Sequence, residues 1–240
     1  RNALSENMLD SLYTKIMAAA ENSEIRVIIL AAKGAVFCAG HDLKEITEAR
    51  SSKDKGIGYF KKLFDKCSEV MNAIVTHPKP VIAEINGIAT AAGCQIVASC
   101  DLAIASYSSK FATPGVNIGL FCSTPMVALS RNVSNKHAME MLLTGDMVDS
   151  KRAEQIGLIN RSCDDALLTD EVNAVANKIA SKSSLTLAIG KKAFYRQSEM
   201  TLNKAYQYCC EVMVDNMLKR DAEEGISAFL AKRKPEWQNT

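Results

Sequence analysis

Two short stretches, residues 37–42 "FCAGHD" and residues 89–101 "ATAAGCQIVASCD", hold the residues whose types could do chemistry. Each reads as a strand running into a helix through a bend of small residues. A helix beginning near Ala92 presents unpaired backbone N–H groups, and the positive end of its dipole, to whatever precedes it. Side chains no larger than Ala91, Ala92 and Gly93 leave those donors open to a ligand. Gly40 lets the other bend turn so that the His41 N–H can face the same space. Two such donors suit an oxyanion hole for a polarised carbonyl oxygen. Small residues at a helix start also serve close packing, and the sequence leaves both readings open.

Groups able to move a proton or attack a carbon are few. His41 carries an imidazole suited to proton transfer near neutrality, or it fills space beside a ligand. Cys94, in the first turn of the helix, stands where a nucleophilic thiol would, but that chemistry needs a paired base that spacing does not reveal. Gln95 beside it has no titratable proton. In "VNIGLFCSTP", residues 116–125, Asn117 could hold a water or polarise a carbonyl. Cys122 reads as a packed thiol and Ser123 as the cap of the helix that follows. His77, before Pro78, reads as a helix-end residue favoured by the dipole, and His137 as a surface residue. Asp42 and Asp101 read as structural acceptors at element boundaries. No metal site is expected.

The elements that must position these groups follow from periodicity. Ser5 caps a helix whose apolar positions are Met8, Leu9, Leu12, Ile16 and Met17. "RVIILAAKG", residues 26–34, is the β-branched run of a buried strand, and residues 36–49 turn through Gly40 into a short helix. A polar loop at 51–58 precedes an amphipathic helix over 59–75, which "HPKP" breaks. "VIAEING" is a second strand, followed by a helix over 91–100 and the strand "DLAIAS". Beyond residue 124 the pattern is helical throughout, in runs at 135–145, 150–157, 167–194 and 202–230. Strands alternating with helices, then helices alone, predict an α/β fold with a helical extension.

Composition narrows the function classes. Of 240 residues, 48% are hydrophobic, enough to bury one core. The net charge is +2, from 29 basic and 27 acidic residues, with no long basic block interleaved with aromatics, which argues against a nucleic-acid surface. No apolar run approaches the ~18 residues of a membrane span. The eight cysteines form no CxxC pair and sit mostly in apolar runs, as reduced thiols of a cytosol or matrix do. The chain opens on Arg1 without a methionine, so an N-terminal segment with any targeting signal is expected outside it.

In chain order, "NALSENMLDSL", "FCAGHDLKE", "KPVIAEINGIATAAGCQIVASCDLAIAS", "FATPGVNIGL", "AMEMLLTGDMVDSKRAEQIGLIN" and "GISAFLAKRKPEW" resemble the successive signature segments of the crotonase (enoyl-CoA hydratase/isomerase) superfamily. "GHDLKE", "ATAAGCQ" and "FATPGVNIGLFCSTP" are most similar to one subgroup of it. The resemblance implies a crotonase (ClpP-like) spiral of ββα units over residues 1–185. It implies a C-terminal helical trimerisation region over 186–240 that also touches coenzyme A. The ligand would be a fatty acyl-CoA thioester, with no cofactor beyond the coenzyme A it carries. The His41 and Ala92 N–H groups would hold the thioester oxygen, Ala39 and Leu43 would line the adenine side, and Asn117 would belong to the substrate-binding residues. Lys232 would reach the phosphates of a ligand in a neighbouring subunit, and Met213 would stand where relatives place an aromatic.

At two positions the chain departs from that pattern. Hydratases of this superfamily use two glutamates as acid and base; the matching residues here are Gln95 and Gly115. Neither can exchange a proton, and such participation is worth roughly 10² to 10⁴ in rate. The expectation is an acyl-CoA-binding protein of lipid metabolism with an intact oxyanion hole and weak or absent hydratase activity. A non-catalytic acyl-CoA-binding or regulatory subunit is the alternative, and a thiol hydrolase centred on Cys94 a further one. Restoring both carboxylates, Gln95→Glu with Gly115→Glu, is expected to raise hydration. A homotrimer or dimer of trimers is expected, in the mitochondrial matrix if the source is eukaryotic and the cytoplasm if bacterial.

Overall fold

The computed structural model describes all 240 residues. Eight strands build two four-stranded sheets. The first holds β1 (Ile28–Ala31), β3 (Val81–Ile85), β5 (Leu102–Ser106) and β8 (Arg161–Cys163), in the order β1-β3-β5-β8 and parallel throughout. The second holds β2 (Val36–Cys38), β4 (Ile88–Thr90), β6 (Lys110–Ala112) and β7 (Val148–Asp149), in the order β2-β4-β6-β7. Its first three strands are parallel and β7 runs against them. Each of the first three successive pairs of strands therefore gives one member to each sheet before helical chain returns, which is the crotonase spiral.

Helices follow the apolar periodicity. In α1 (Glu6–Glu21) the Ser5 hydroxyl accepts the Met8 N–H at 3.2 Å, and Leu9 and Ile16 are buried against α3 (Ile57–Thr76). The inner face of α3 is Leu63, Cys67, Val70, Met71 and Ile74. Between them α2 (Leu43–Ala49) is capped by Asp42, whose Oδ1 accepts the Lys44 N–H at 2.9 Å. The helix α4 (Ala92–Ser99) is buried along its whole length, with Gln95 the one large polar side chain in an otherwise small and apolar sequence. Next come α5 (Pro125–Leu129), α6 (Asn135–Thr144), α7 (Ser150–Gln155) and α8 (Leu168–Ala180). The C-terminal region is α9 (Ser184–Gln197), α10 (Leu202–Met217) and α11 (Arg220–Leu230), so residue 185 lies two residues into α9.

A buried ionic knot ties that region to the core. Lys191 of α9 donates to Asp101 Oδ2 at 2.6 Å and to the Ile74 carbonyl at 2.9 Å. Tyr195 donates to Asp101 Oδ1 at 3.0 Å, and the Val81 N–H to Oδ2 at 2.7 Å. Asp101 is thus the structural acceptor that its boundary position suggests.

Four expectations change. The second half is not purely helical: β7 and β8 lie there, both too short for a periodic signal, and β8 completes the first sheet. The strand β1 is only half-buried, because it stands at a sheet edge. Ser123 does not cap α5; Thr124 occupies that position, and Ser123 Oγ points back to the Phe121 carbonyl. His77 is 3% exposed rather than a charged helix end. Its Nε2 meets the Ile16 carbonyl at 3.0 Å and its Nδ1 accepts the Lys79 N–H at 3.0 Å, while burial pushes its pKa below the ordinary value.

Candidate active site

The neighbouring parallel strands β2, β4 and β6 end on one edge of their sheet, and their carboxyl ends run into the segments 39–41, 91–92 and 113–115. Ligands of parallel sheets gather beyond such ends. The first two bends touch. A Cβ built on Gly40, whose φ is +87°, would come 3.0 Å from Ala91 Cβ and 3.4 Å from the Ala92 nitrogen. Ala91 itself has φ 50° and ψ −118°, a conformation that costs a residue with a side chain about 1–3 kcal/mol. It is held by its N–H to the Ala112 carbonyl at 3.0 Å and by its own carbonyl, which accepts the Gln95 N–H at 3.1 Å.

That arrangement starts α4 at the bend. The N–H groups of His41 and Ala92 donate to no acceptor in the chain, while Leu4 anchors the first bend through its N–H to the Gly40 carbonyl at 2.8 Å. Gly93 has a different role from the one its place suggests. A Cβ there would lie 2.2 Å from the Cys38 carbonyl oxygen, so Gly93 is small for close packing of α4 on β2 rather than to open the donors.

The His41 imidazole lies edge-on to Phe64, with ring centroids 5.5 Å apart. Both ring nitrogens are sealed from solvent and hydrogen-bond to nothing. Burial pushes its pKa below the ordinary histidine value, and the Leu4 backbone opposes that shift. Cys94 is buried and its thiol is pushed up to about 12 by burial. With no partner on either nitrogen of His41, Cys94 has no base there, and the thiol-hydrolase reading loses both its nucleophile and its activator.

Gln95 is 5% exposed, one helical turn into α4 from Ala92. Its Oε1 accepts from Cys67 Sγ at 3.9 Å, and burial pushes the Cys67 thiol up to about 12, so the sulfur keeps its proton and acts as donor. The Gly115 position is closed. A Cβ there would meet the Leu120 carbonyl oxygen at 2.6 Å and Cys122 Sγ at 2.9 Å. The loop is cinched around it by Leu120 N–H to the Gly115 carbonyl at 2.9 Å and Gly115 N–H to Cys122 Sγ at 3.3 Å. Restoring a glutamate at 115 therefore requires the loop 119–122 to move, which corrects the expectation that the double carboxylate variant simply regains hydration.

Other expected residues scatter. Ala39 is half-buried beside Gly40, and Leu43, 54% exposed, opens α2. Asn117 is exposed in the 3₁₀ turn Pro114–Ile118, where its amide packs against Gly145. Lys232 is exposed after α11, which packs on α10. Met213 is exposed on α10. Cys67, Phe64 and Thr113 were not anticipated. Thr113 Oγ1 is fully buried and unpartnered at the end of β6, and only its place before Pro114 in "FATP" could have drawn notice.

The profile of the enoyl-CoA hydratase/isomerase family matches residues 1–240. The chain is 50% identical over 239 residues to the rat and human proteins named enoyl-CoA hydratase domain-containing protein 3, mitochondrial, covering all of this chain and 78% and 77% of those proteins. That subgroup is the one to which "GHDLKE" and "ATAAGCQ" are similar. A solved enoyl-CoA hydratase of Mycobacterium smegmatis superposes with a TM-score of 0.92 at 50% identity, covering 98% of this chain and 90% of that one. The human domain-containing protein 3 superposes with 0.93 at 49%, covering 98% and 91%. On a match that runs its whole length and a shared spiral architecture, this chain belongs to the enoyl-CoA hydratase/isomerase family.

Proposed function

We propose that the chain binds fatty acyl-CoA thioesters in lipid metabolism, the His41 and Ala92 N–H groups taking the thioester oxygen. The observation that carries this reading is the contact of two bends, Gly40 on Ala91, each followed by a backbone N–H that nothing in the chain accepts. Coenzyme A enters as part of the ligand. Ala39 and Leu43 would flank its adenine, and Asn117 would contact the bound thioester. Hydration is expected to be weak or absent: Gln95 cannot titrate and Gly115 has no side chain and no room for one. This favours a non-catalytic acyl-CoA-binding or regulatory role over an active hydratase.

The exposed apolar side chains Leu202, Leu218, Phe229 and Leu230 on the C-terminal helices support a homotrimer or dimer of trimers. In such an assembly Lys232 of one copy would serve the phosphates of a ligand bound by its neighbour. The names of the mitochondrial relatives support a matrix location for a eukaryotic source, with the cytoplasm for a bacterial one. No helix is long and apolar enough to cross a membrane.

Calorimetric titration with butyryl-CoA, beside a crotonyl-CoA hydration assay, tests the reading. Saturable binding with hydration at least a hundredfold below an intact family hydratase is expected. Absence of binding overturns it, and hydration at the rate of the intact enzyme overturns the assignment of Gln95 and Gly115 as inert.

A further inference from the structure

The helix α11 is followed by three cations, Lys232, Arg233 and Lys234, and the fold treats them differently. Arg233 is occupied within the chain. Its Nη1 donates to Glu224 Oε1 at 2.6 Å and its Nη2 to Oε2 at 2.8 Å, a bidentate pair that leaves the guanidinium little to offer a ligand. The Glu236 N–H donates to the same Oε1 at 2.8 Å. The Arg233 contact, helped by the Glu236 N–H, holds the Glu224 carboxyl down at about 2. Lys232 is exposed and pairs with no carboxylate of the chain.

The backbone at Lys232 is unusual. Past the cap Ala231, the Arg233 N–H reaches back to the Ala228 carbonyl at 3.0 Å and the Lys232 N–H to the Phe229 carbonyl at 3.2 Å, which places Lys232 at φ +53°. Glycine ordinarily fills that left-handed position, because a side chain there crowds its own backbone. This chain puts a lysine in it.

The residues that follow, 233–240, form a clasp over one face of α11. Asp221, Glu224, Gly225 and Ala228 share that face by their helical spacing. Asp221, 2% exposed, accepts the Gln238 N–H at 2.7 Å and the Asn239 N–H at 3.0 Å, and takes the Ser183 hydroxyl from the corner before α9. Trp237 lies on Gly225, where a Cβ would come 3.2 Å from its Cη2, and its indole N–H donates to the Ser181 carbonyl at 2.8 Å. The clasp thus ties α11 to the α8–α9 corner, and Lys232 stands in the turn between helix and clasp.

Resting on the acyl-CoA reading above, we infer that Glu224, Arg233 and Trp237 are positioning residues: they hold the Lys232 turn in its left-handed form, so that its ammonium is already presented to coenzyme A phosphates before a ligand arrives. A side chain fixed in advance loses less freedom on binding. The three-cation run then acts through one member, Lys232, while Arg233 serves to hold it.

Calorimetric titrations with butyryl-CoA and with S-butyryl-pantetheine, which carries the same thioester without the nucleotide, test this. Butyryl-CoA is expected to bind more tightly, and the ratio of the two affinities to fall by about three- to tenfold in Lys232→Met, Glu224→Gln and Trp237→Ala. Glu224→Gln makes the chain end more positive, so a plain charge effect would raise the ratio instead. In a Lys232→Met background neither clasp variant should lower the ratio further, since both act through that lysine. Trp237 is the only tryptophan, and its emission should shift to the red in Glu224→Gln as the clasp loosens. A ratio that Glu224→Gln and Trp237→Ala leave unchanged or raise overturns the inference, as does a wild-type ratio near one or a ratio that survives Lys232→Met; in each case the acyl-CoA reading stands. Binding of neither thioester brings down both.

Discussion

Gly40 lies tightly against the Ala91–Ala92 bend: a Cβ on Gly40 would sit 3.0 Å from Ala91 Cβ and 3.2 Å from the Thr90 carbonyl oxygen. The same glycine has φ +87°, a conformation that costs an L-residue energy before any contact is considered. Gly40→Ala is therefore expected to cost about 1–3 kcal/mol of stability and to separate the His41 and Ala92 donors. Urea unfolding and butyryl-CoA titration on the same sample check both parts, and an unchanged affinity would argue that the donors do not act as a pair.

Gly115 offers the sharper test of how far the site has moved from proton transfer. Gly115→Glu forces a Cβ into the Leu120 carbonyl and the Cys122 sulfur, so it is expected to destabilise by about 1–3 kcal/mol. With Gln95→Glu added, crotonyl-CoA hydration should stay within about tenfold of the parent. A rise of a hundredfold would mean that the 119–122 loop opens readily.

Stability should depend on pH through buried imidazoles. His77 and His41 both have pKa values below 6.5 in the folded state because burial disfavours their charged forms. Below that value the unfolded chain binds more protons than the native one, so stability is fully present above about pH 6.5 and is lost as pH falls toward the folded values. The slope is at most about 1.4 kcal/mol per pH unit for each histidine. Denaturant midpoints between pH 7.5 and 5 should fall on acidification, and His77→Asn should flatten the curve.

The C-terminal helices should assemble through their bare apolar side. Phe229 is 82% exposed and Leu218 is 81% exposed, apolar surface whose burial by a second copy would be favourable. Phe229→Asp is expected to shift a trimer toward monomer in sedimentation while leaving the far-ultraviolet circular dichroism unchanged. Retention of the trimer would place the interface elsewhere.

Much of this molecule was legible in its residues because the physics is local. β-branched runs located β1, β3 and β5, amphipathic stretches located the long helices, and Ser5 announced the helix it caps. The signature segments carried the family. That positions 95 and 115 hold no carboxylate needed no coordinates, because a missing functional group is a property of residue type alone. The rest depended on neighbours distant in the chain. No pattern announces that Cys67, 28 residues before Gln95, takes its amide oxygen. None announces that Gly93 is small for Cys38, that Leu120 folds over Gly115, or that His41 has no partner at all. Residue types set which atoms can donate, accept or titrate, whereas burial and contact decide which of them are already spoken for, and only the folded chain brings residues 40, 67, 92 and 115 close enough to decide it.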